Sequence, residues 1–296
     1  MTYPKVLLTG GTSPLGALLV PRLVASGHQT MAISRSSSGM AKLQETGISA
    51  LLINLNTATE PPADCTTLLH LAGIDFAPQI HTWLSSGQFS RAIVVSSASA
   101  VTPNHPKRDS ILANEHRLLA LDQVEVTILR PTMIYGTRGD KNISRIIHAV
   151  SRLGWVPRAK GGGLVMPVFG EDVVSAILEI LSGKHPGGTF PVAGPEPLYF
   201  GQILEAISVA TDLPQRGPRL PIHALAKAST AINAKGRPGL HALQMLLQDR
   251  IVTPQESLVS RTNPPVSLMV WRRRCALLMP VTSSCAQRVA CATPPA

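Results

Sequence analysis

The chain lacks several features that would define other classes of protein. No run of about 18 or more uncharged apolar residues occurs in its 296 residues, which argues against a membrane-spanning helix. The first residues lead into a strand pattern without a basic and apolar signal segment, so we expect a cytoplasmic protein. Cysteine is scarce, and the spacings fit neither a zinc site nor a disulfide framework: Cys65, Cys275, Cys285 and Cys291.

Acidic residues are absent after Glu256, and aromatic residues make up only 4% of the chain. The formal net charge is +10, and half of it comes from arginines near the end of the chain: Arg261, Arg272, Arg273, Arg274 and Arg288. Binding of single-stranded nucleic acid needs aromatic side chains interleaved with such cations, and this pattern is missing. We therefore expect neither a nucleic-acid nor a membrane partner.

The first two hundred residues alternate short β-branched apolar runs with amphipathic stretches, a rhythm typical of parallel βαβ units. Hydrophobic residues make up 44% of the chain and charged residues 15%, which is enough for a sizeable core. We predict strands at 5–9, 29–34, 50–54, 67–71, 92–96 and 127–129. We predict helices at 15–25, 40–45, 80–85, 112–121, 143–153, 171–181 and 201–211. The predicted fold class is α/β, a doubly wound parallel sheet with a small C-terminal lobe.

A glycine-rich turn joins the first strand to the first helix, Thr9-Gly10-Gly11-Thr12-Ser13-Pro14-Leu15-Gly16. This strand–turn–helix context favours a dinucleotide site, because free N–H groups at a helix start bind pyrophosphate. Gly10 permits the tight turn, Gly16 lets the helix pack on the sheet, and Ser13 replaces the middle glycine with a hydroxyl that can bind phosphate. An ordinary glycine-rich turn is the alternative. The predicted pyrophosphate contacts are Gly10, Thr12, Ser13, Pro14, Leu15 and Gly16.

The end of the second strand predicts NADP as the cofactor, with NAD less favoured. Ser34 stands where an NAD site would have a carboxylate for the ribose hydroxyls, and Arg35 and Ser36 follow it. A guanidinium can pair two oxygens of a 2′-phosphate at once, and neighbouring hydroxyls suit the same group. The alternative is an ordinary solvated arginine in a loop.

Six segments in order resemble the short-chain dehydrogenase/reductase superfamily, in its extended nucleotide-sugar epimerase/dehydratase branch. The resemblance runs over residues 5–212 and implies a Rossmann-type NAD(P)-binding domain. The segments are the glycine turn, Asn54-Leu55, His70-Leu71-Ala72-Gly73, Ser96-Ser97-Ala98-Ser99, Leu129-Arg130-Pro131-Thr132-Met133-Ile134-Tyr135-Gly136 and Met166-Pro167-Val168-Phe169-Gly170-Glu171-Asp172-Val173-Val174.

The resemblance also implies roles for particular residues. Asn54 and Leu55 would contact the adenine, and Pro131 would lie near the nicotinamide ribose. The serine segment would supply an active-site hydroxyl from Ser96 or Ser97. The residues that would line the cofactor after the fourth strand are Leu71, Ala72 and Gly73.

The catalytic pair of the superfamily is absent. Its reductases use a Tyr with a Lys four residues later, and the residues at that distance from Tyr3, Tyr135 and Tyr199 are Leu7, Gly139 and Ile203. Matching Glu115 to the family's downstream Glu places Lys107 at the Tyr position and Ile111 at the Lys position. The short connection between the fourth and fifth strands also resembles atypical members.

Three functions remain open. The first is an atypical NADP-dependent oxidoreductase or epimerase-like enzyme acting on a carbonyl or nucleotide-sugar substrate. Ser96 or Ser97 would orient the substrate carbonyl, and Lys107 or His105 would supply a proton. The second is a catalytically silent NADP-sensing or assembly module. The third, nucleic-acid binding through the basic tail, has the least support.

Three regions are expected along the chain. Residues 1–194 form the NAD(P)-binding domain and contribute a lobe segment at 137–163, and residues 195–263 form a small substrate lobe. Residues 264–296 form a poorly ordered or atypical tail, because composition changes at Pro264. The expected partner is a small-molecule substrate such as a nucleotide sugar, and a homodimer stays open. No metal is expected, and His70 is predicted to be a buried, hydrogen-bonded residue.

Overall fold

A computed structural model describes residues 5–103, 105–137, 139–140, 143–183, 185–221 and 257–258. Its strands are β1 Val6–Thr9, β2 Thr30–Ser34, β3 Ser49–Leu52, β4 Thr67–His70, β5 Arg91–Val95, β6 Glu125–Pro131, β7 Ile134–Tyr135, β8 Val156–Lys160, β9 Leu164–Val165, β10 Val168–Phe169, β11 Gly188–Val192, β12 Leu198–Tyr199 and β13 Gln215–Pro221.

The helices follow the amphipathic stretches. They are α1 Pro14–Ala25, α2 Ser37–Glu45, α3 Ala77–Leu84, α4 Arg108–Leu119, α5 Ile143–Leu153, α6 Gly170–Leu181 and α7 Phe200–Thr211, with 3₁₀ turns η1 Ile74–Phe76 and η2 Ala98–Ala100. Ser13 and Ser36 cap the first two helices, because each side-chain oxygen accepts a hydrogen bond from a first-turn N–H group. None of the helices in the described part of the chain is both long and apolar enough to span a bilayer.

Seven strands form one parallel sheet in the order β11-β6-β5-β4-β1-β2-β3. The strand order reverses between β1 and β4, where Thr9 pairs with His70 at the carboxyl ends of the two strands. In an open α/β sheet, this reversal leaves a crevice outside the strand ends that binds ligands. The predicted doubly wound parallel sheet is therefore confirmed.

Hydrophobic cores cover both faces of this sheet. On one face α1 and α6 pack together, with Leu19, Leu23 and Ile177 fully buried. On the other face α3 and α4 pack together, with Trp83 and Leu118 fully buried. Burial of each such side chain contributes roughly 1.5–3 kcal/mol, so these two layers fix the positions of the strand ends.

A third core cluster lies among α5, β8 and α7, and includes Ile147, Val156 and Ile207. These elements fall in the two segments predicted to form the lobe. Ser257 and Leu258 instead contact the sheet domain: Leu258 joins the core beside α1 and α6, and the Ser257 hydroxyl accepts a hydrogen bond from the Ala193 N–H group at 3.0 Å. The predicted tail at 264–296 lies outside the described residues, as do Cys275, Cys285 and Cys291.

Strands β11 and β3 show how the structure departs from the sequence-based prediction. Strand β11 lies in a glycine- and proline-rich segment for which no strand was predicted, and it pairs with β6. Strand β3 ends at Leu52, two residues earlier than predicted. The Asn54 side chain accepts a hydrogen bond from the Asn56 N–H group, which forms a turn instead of extending the strand.

Candidate functional site

The glycine turn presents the start of α1 to the crevice. The Ser13 N–H group donates to the Gly10 carbonyl at 2.9 Å, and the Gly16 N–H group donates to the Ser13 hydroxyl at 3.0 Å. Ser13 has a φ of −68°, so a side chain at this position causes no backbone strain. The hydroxyl expected to bind phosphate thus also caps the helix, and its hydrogen can still be donated to a ligand.

Two glycines of this turn are required by close approach. A Cβ atom on Gly10, where φ is +73°, would lie 2.6 Å from the backbone nitrogen of Ala72. A Cβ atom on Gly16 would lie 2.6 Å from the carbonyl oxygen of Gly10. Gly16 therefore allows α1 to pack against the turn itself, whereas the sequence suggested packing against the sheet. The turns after β1 and β4 are in direct contact.

A cleft of about 430 Å³ opens at this junction. Nine of its lining residues were predicted as cofactor contacts: Gly10, Thr12, Ser13, Ser34, Arg35, Asn54, Leu55, Leu71 and Ala72. Four further lining residues were missed: Ile33, Ile53, Asn56 and Phe76. The remaining predicted contacts lie outside this lining: Pro14, Leu15, Gly16, Ser36, Gly73 and Pro131. The missed residues belong to strand ends and turns that carry no motif.

The turn after β2 presents Arg35 to the cleft. The Ser34 hydroxyl donates to the Ser36 carbonyl at 3.0 Å and accepts from the Ser36 N–H group at 3.3 Å. The Ser36 hydroxyl accepts from the Gly39 N–H group at 3.2 Å. Both serines therefore stabilise the turn, while Arg35 is exposed and forms no ion pair with any residue that the structure describes.

His70 lies beneath the junction of the two turns. It is completely buried, and burial lowers its pKa from 6.5 to about 4 even though a hydrogen bond to the Gly73 carbonyl opposes the shift. The neutral ring donates from Nε2 to the Gly73 carbonyl at 2.9 Å and accepts at Nδ1 from the Thr9 hydroxyl at 2.7 Å. The prediction of a buried, hydrogen-bonded histidine is confirmed.

The serine segment after β5 contains two hydroxyls that the sequence could not distinguish, and the structure gives them different partners. The Ser96 hydroxyl donates to the Glu115 carboxylate at 2.5 Å. Glu115 is completely buried and also forms an ion pair with Arg130. The Ser97 hydroxyl accepts from the Ser99 N–H group at 3.1 Å and lies 3.0 Å from the Ser99 hydroxyl. Ser96 therefore faces a buried charge, and Ser97 faces a neutral, half-buried partner.

Lys107 immediately precedes α4, and its ammonium lies 3.3 Å from the Asp75 carboxylate. Both side chains are about two-thirds exposed, at 66% and 64%. Ile111, at the family's lysine position, is buried. Of the two described tyrosines, Tyr135 is buried with its ring 5.4 Å from that of Phe169, and Tyr199 precedes α7.

Metal chemistry has no support in the described residues, where no group of three or more His, Cys, Asp or Glu side chains could hold an ion. The thiol of Cys65 is buried, which raises its pKa, and it forms no disulfide. The group that the residues fit is a dinucleotide, since Gly10 lets the turn after β1 approach the Ala72 backbone closely, and the free N–H groups at the start of α1 border the cleft, where they favour an anion.

Solved structures with the same Rossmann-type fold include enzymes that bind NAD. The chain resembles the UDP-glucose 4-epimerase of Thermus thermophilus, solved with NAD, at 18% identity and a TM-score of 0.66, covering 93% of this chain and 97% of that one. It resembles the UDP-glucose 4-epimerase of Thermotoga maritima, solved with UDP-glucose, at 16% identity, the same TM-score and the same coverages. No protein-family profile matches the chain.

Among curated proteins, the chain is similar to the uncharacterized oxidoreductase YesF of Bacillus subtilis strain 168. The identity is 23% over 216 residues, which cover 71% of this chain and 72% of that protein. The solved structures that resemble the chain include nucleotide-sugar epimerases and an NAD-dependent dehydratase, as the sequence motifs predicted. At these identities the likeness shows a shared fold.

Proposed function

We propose that this chain is an NADP-dependent oxidoreductase or epimerase-like enzyme that acts on a carbonyl or nucleotide-sugar substrate without a tyrosine–lysine pair. The observation that carries the proposal is the cleft in which the start of α1, Arg35 and the turns after β3 and β4 converge. The lobe elements α5, β8 and α7 would cover the substrate. Nucleotide-sugar enzymes among the similar folds support this substrate class.

The preference for NADP rests on Arg35. Arg35 lines the cleft and forms no ion pair in the described part of the chain, so both edges of its guanidinium can pair with phosphate oxygens. Ser34 and Ser36 stabilise the turn beneath it instead of offering a carboxylate. A 2′-phosphate would meet positive charge here and no negative charge from these three residues.

The catalytic roles fall to Ser97 and Lys107. When bound, NADPH supplies a hydride to the substrate carbonyl carbon. The Ser97 hydroxyl would donate a hydrogen bond to the carbonyl oxygen, and the Lys107 ammonium would supply the proton there. Lys107 would leave Asp75 at little cost, because an exposed ion pair contributes only about 0–1 kcal/mol.

A second candidate is the catalytically silent NADP-binding module, which a specific observation favours. Within the described residues, Ser96 contacts Glu115, Ser97 contacts Ser99, and Lys107 contacts Asp75. None of these three side chains is therefore held ready for a substrate in this arrangement. Such a module would use the cleft for sensing or assembly.

Calorimetry on Arg35→Gln tests the cofactor assignment. We expect the wild type to bind NADP more tightly than NAD, and the variant to lose roughly tenfold in NADP affinity, equivalent to about one charge-assisted hydrogen bond. NAD affinity should be unchanged. Arg22→Gln removes the same charge from the exposed last turn of α1 and should alter neither affinity. Tighter binding of NAD by the wild type would contradict the assignment.

Oxidation of NADPH across a panel of aldehydes, ketones and nucleotide sugars separates enzyme from silent module. We expect turnover that falls about a hundredfold in Ser97→Ala, the usual cost of a lost carbonyl donor. Turnover should also fall in Lys107→Ala. Ser26→Ala, on an exposed hydroxyl at the end of α1, is the matched control and should keep full activity. Tight NADP binding without any turnover would favour the silent module.

A further inference from the structure

A buried carboxylate lies where the carboxyl ends of β5 and β6 meet α4. Glu115 is completely buried, and a buried charge is unfavourable unless it is paired and hydrogen-bonded. The Nε atom of Arg130 lies 3.2 and 3.1 Å from the two carboxylate oxygens, and Nη2 also donates to one of them. The Ser96 hydroxyl supplies a further donor at 2.5 Å. The carboxylate is therefore fully paired by groups from two other elements.

This network fixes the backbone beside the proposed reaction centre. Besides its bond to Glu115, Ser96 donates its N–H group to the Leu129 carbonyl of β6 at 2.7 Å. Ser97 follows Ser96 directly in the chain, and Pro131 follows Arg130. Each of these two residues therefore follows a member of the network directly. Ser97 carries the hydroxyl proposed to contact the substrate, and Pro131 is expected beside the nicotinamide ribose.

The two serine hydroxyls differ in how readily they can turn toward a substrate. Ser96 donates to a carboxylate, and hydrogen bonds of this charged type are roughly twice as strong as neutral ones. Among the described residues, Ser97 bonds to neutral groups of Ser99 alone, so a substrate oxygen can replace that partner. Ser96 is consequently suited to hold the segment, and Ser97 is suited to contact the substrate.

We propose that Glu115 and Ser96 are positioning residues, which act on the reaction by holding the Ser97 hydroxyl at a fixed place beside the substrate carbonyl. Arg130 pairs with the Glu115 carboxylate, which in turn accepts the hydrogen bond from Ser96. This inference rests on the proposed function. It predicts that removal of the Ser96 hydroxyl harms turnover only while Ser97 is present to be positioned.

A double-mutant cycle on the full-length chain tests the inference. Ser96→Ala should lower kcat roughly tenfold in the wild-type background, which matches one misplaced transition-state contact, and it should not lower kcat further in Ser97→Ala. The NADP affinity should stay unchanged in every variant. Ser96→Thr, which keeps the hydroxyl, should restore turnover. Ser26→Ala is the control and should match the wild type.

Hydrogen exchange gives a readout that does not depend on turnover. In Ser96→Ala the backbone amides of residues 96–101 should exchange faster, while those of α1 should not change. Ser96→Ala is the primary variant because it leaves the Glu115–Arg130 ion pair intact, whereas Glu115→Gln strips a partly buried arginine of its counter-charge and endangers folding.

The outcomes separate the two proposals. An equal loss of kcat from Ser96→Ala with and without Ser97 would overturn the positioning role and leave the proposed function standing. Unchanged exchange at residues 96–101 would also overturn it. A wild-type chain that oxidises no NADPH with any substrate of the panel would overturn the proposed function and the positioning role with it.

Discussion

His70 connects the two turns that border the cleft. Its ring accepts from the Thr9 hydroxyl, one residue before Gly10, and donates to the Gly73 carbonyl, one residue after Ala72. Gly10 and Ala72 both line the cleft, so the neutral ring sets the distance between the two turns that border it. A protonated ring could not accept from Thr9, so the arrangement depends on the neutral form.

This dependence predicts a loss of stability in acid. The folded-state pKa of His70 is lowered from 6.5 to about 4, so its contribution is fully present above pH 6.5 and is lost as pH falls toward 4. The loss amounts to about 3 kcal/mol at most. Urea denaturation between pH 4 and pH 7 should show it in the wild type.

The comparison variant is His70→Gln, which keeps a donor and an acceptor but does not titrate. Its free energy of unfolding should depend less on pH over the same range. His116→Gln changes an exposed histidine of α4 and should follow the wild-type curve. Parallel curves for the wild type and His70→Gln would show that His70 does not contribute this pH dependence.

At the scale of elements, the glycine turn, which is the proposed phosphate site, also serves as a contact surface for the turn after β4. Strands β1 and β4 are neighbours in the sheet, and their following turns touch at Gly10 and Ala72. A side chain at position 10 would therefore displace backbone that lines the cleft, in addition to opposing the positive φ.

Gly10→Ala should lower both stability and cofactor affinity. The positive φ alone costs about 1 kcal/mol, and the contact with the Ala72 backbone adds to it. Gly27→Ala is a matched control, since Gly27 has a φ of +72° but no atom within 4 Å of an added Cβ. It should cost about 1 kcal/mol and leave NADP affinity unchanged. Equal effects of the two variants on unfolding and on calorimetric affinity would contradict this account.

At the scale of the whole molecule, regular βαβ patterns predicted most of what the structure contains. The six predicted strands and the seven predicted helices are present, and α5 has the predicted bounds of 143–153. Strand β11 was missed because its pairing with β6, not its own residue pattern, defines it. Strands β8 and β13 were missed for the same reason, since they are stabilised by pairing with each other.

The sequence by itself determined the parallel sheet and nine of the residues that line the cleft, because these depend on local periodicity and on motifs at strand ends. It could not assign different roles to Ser96 and Ser97. That difference depends on Glu115, 19 residues further along the chain, and on Arg130 in the neighbouring strand. Only the folded sheet brings the ends of β5 and β6 to one edge, where the buried Glu115 carboxylate accepts a hydrogen bond from Ser96 and not from Ser97.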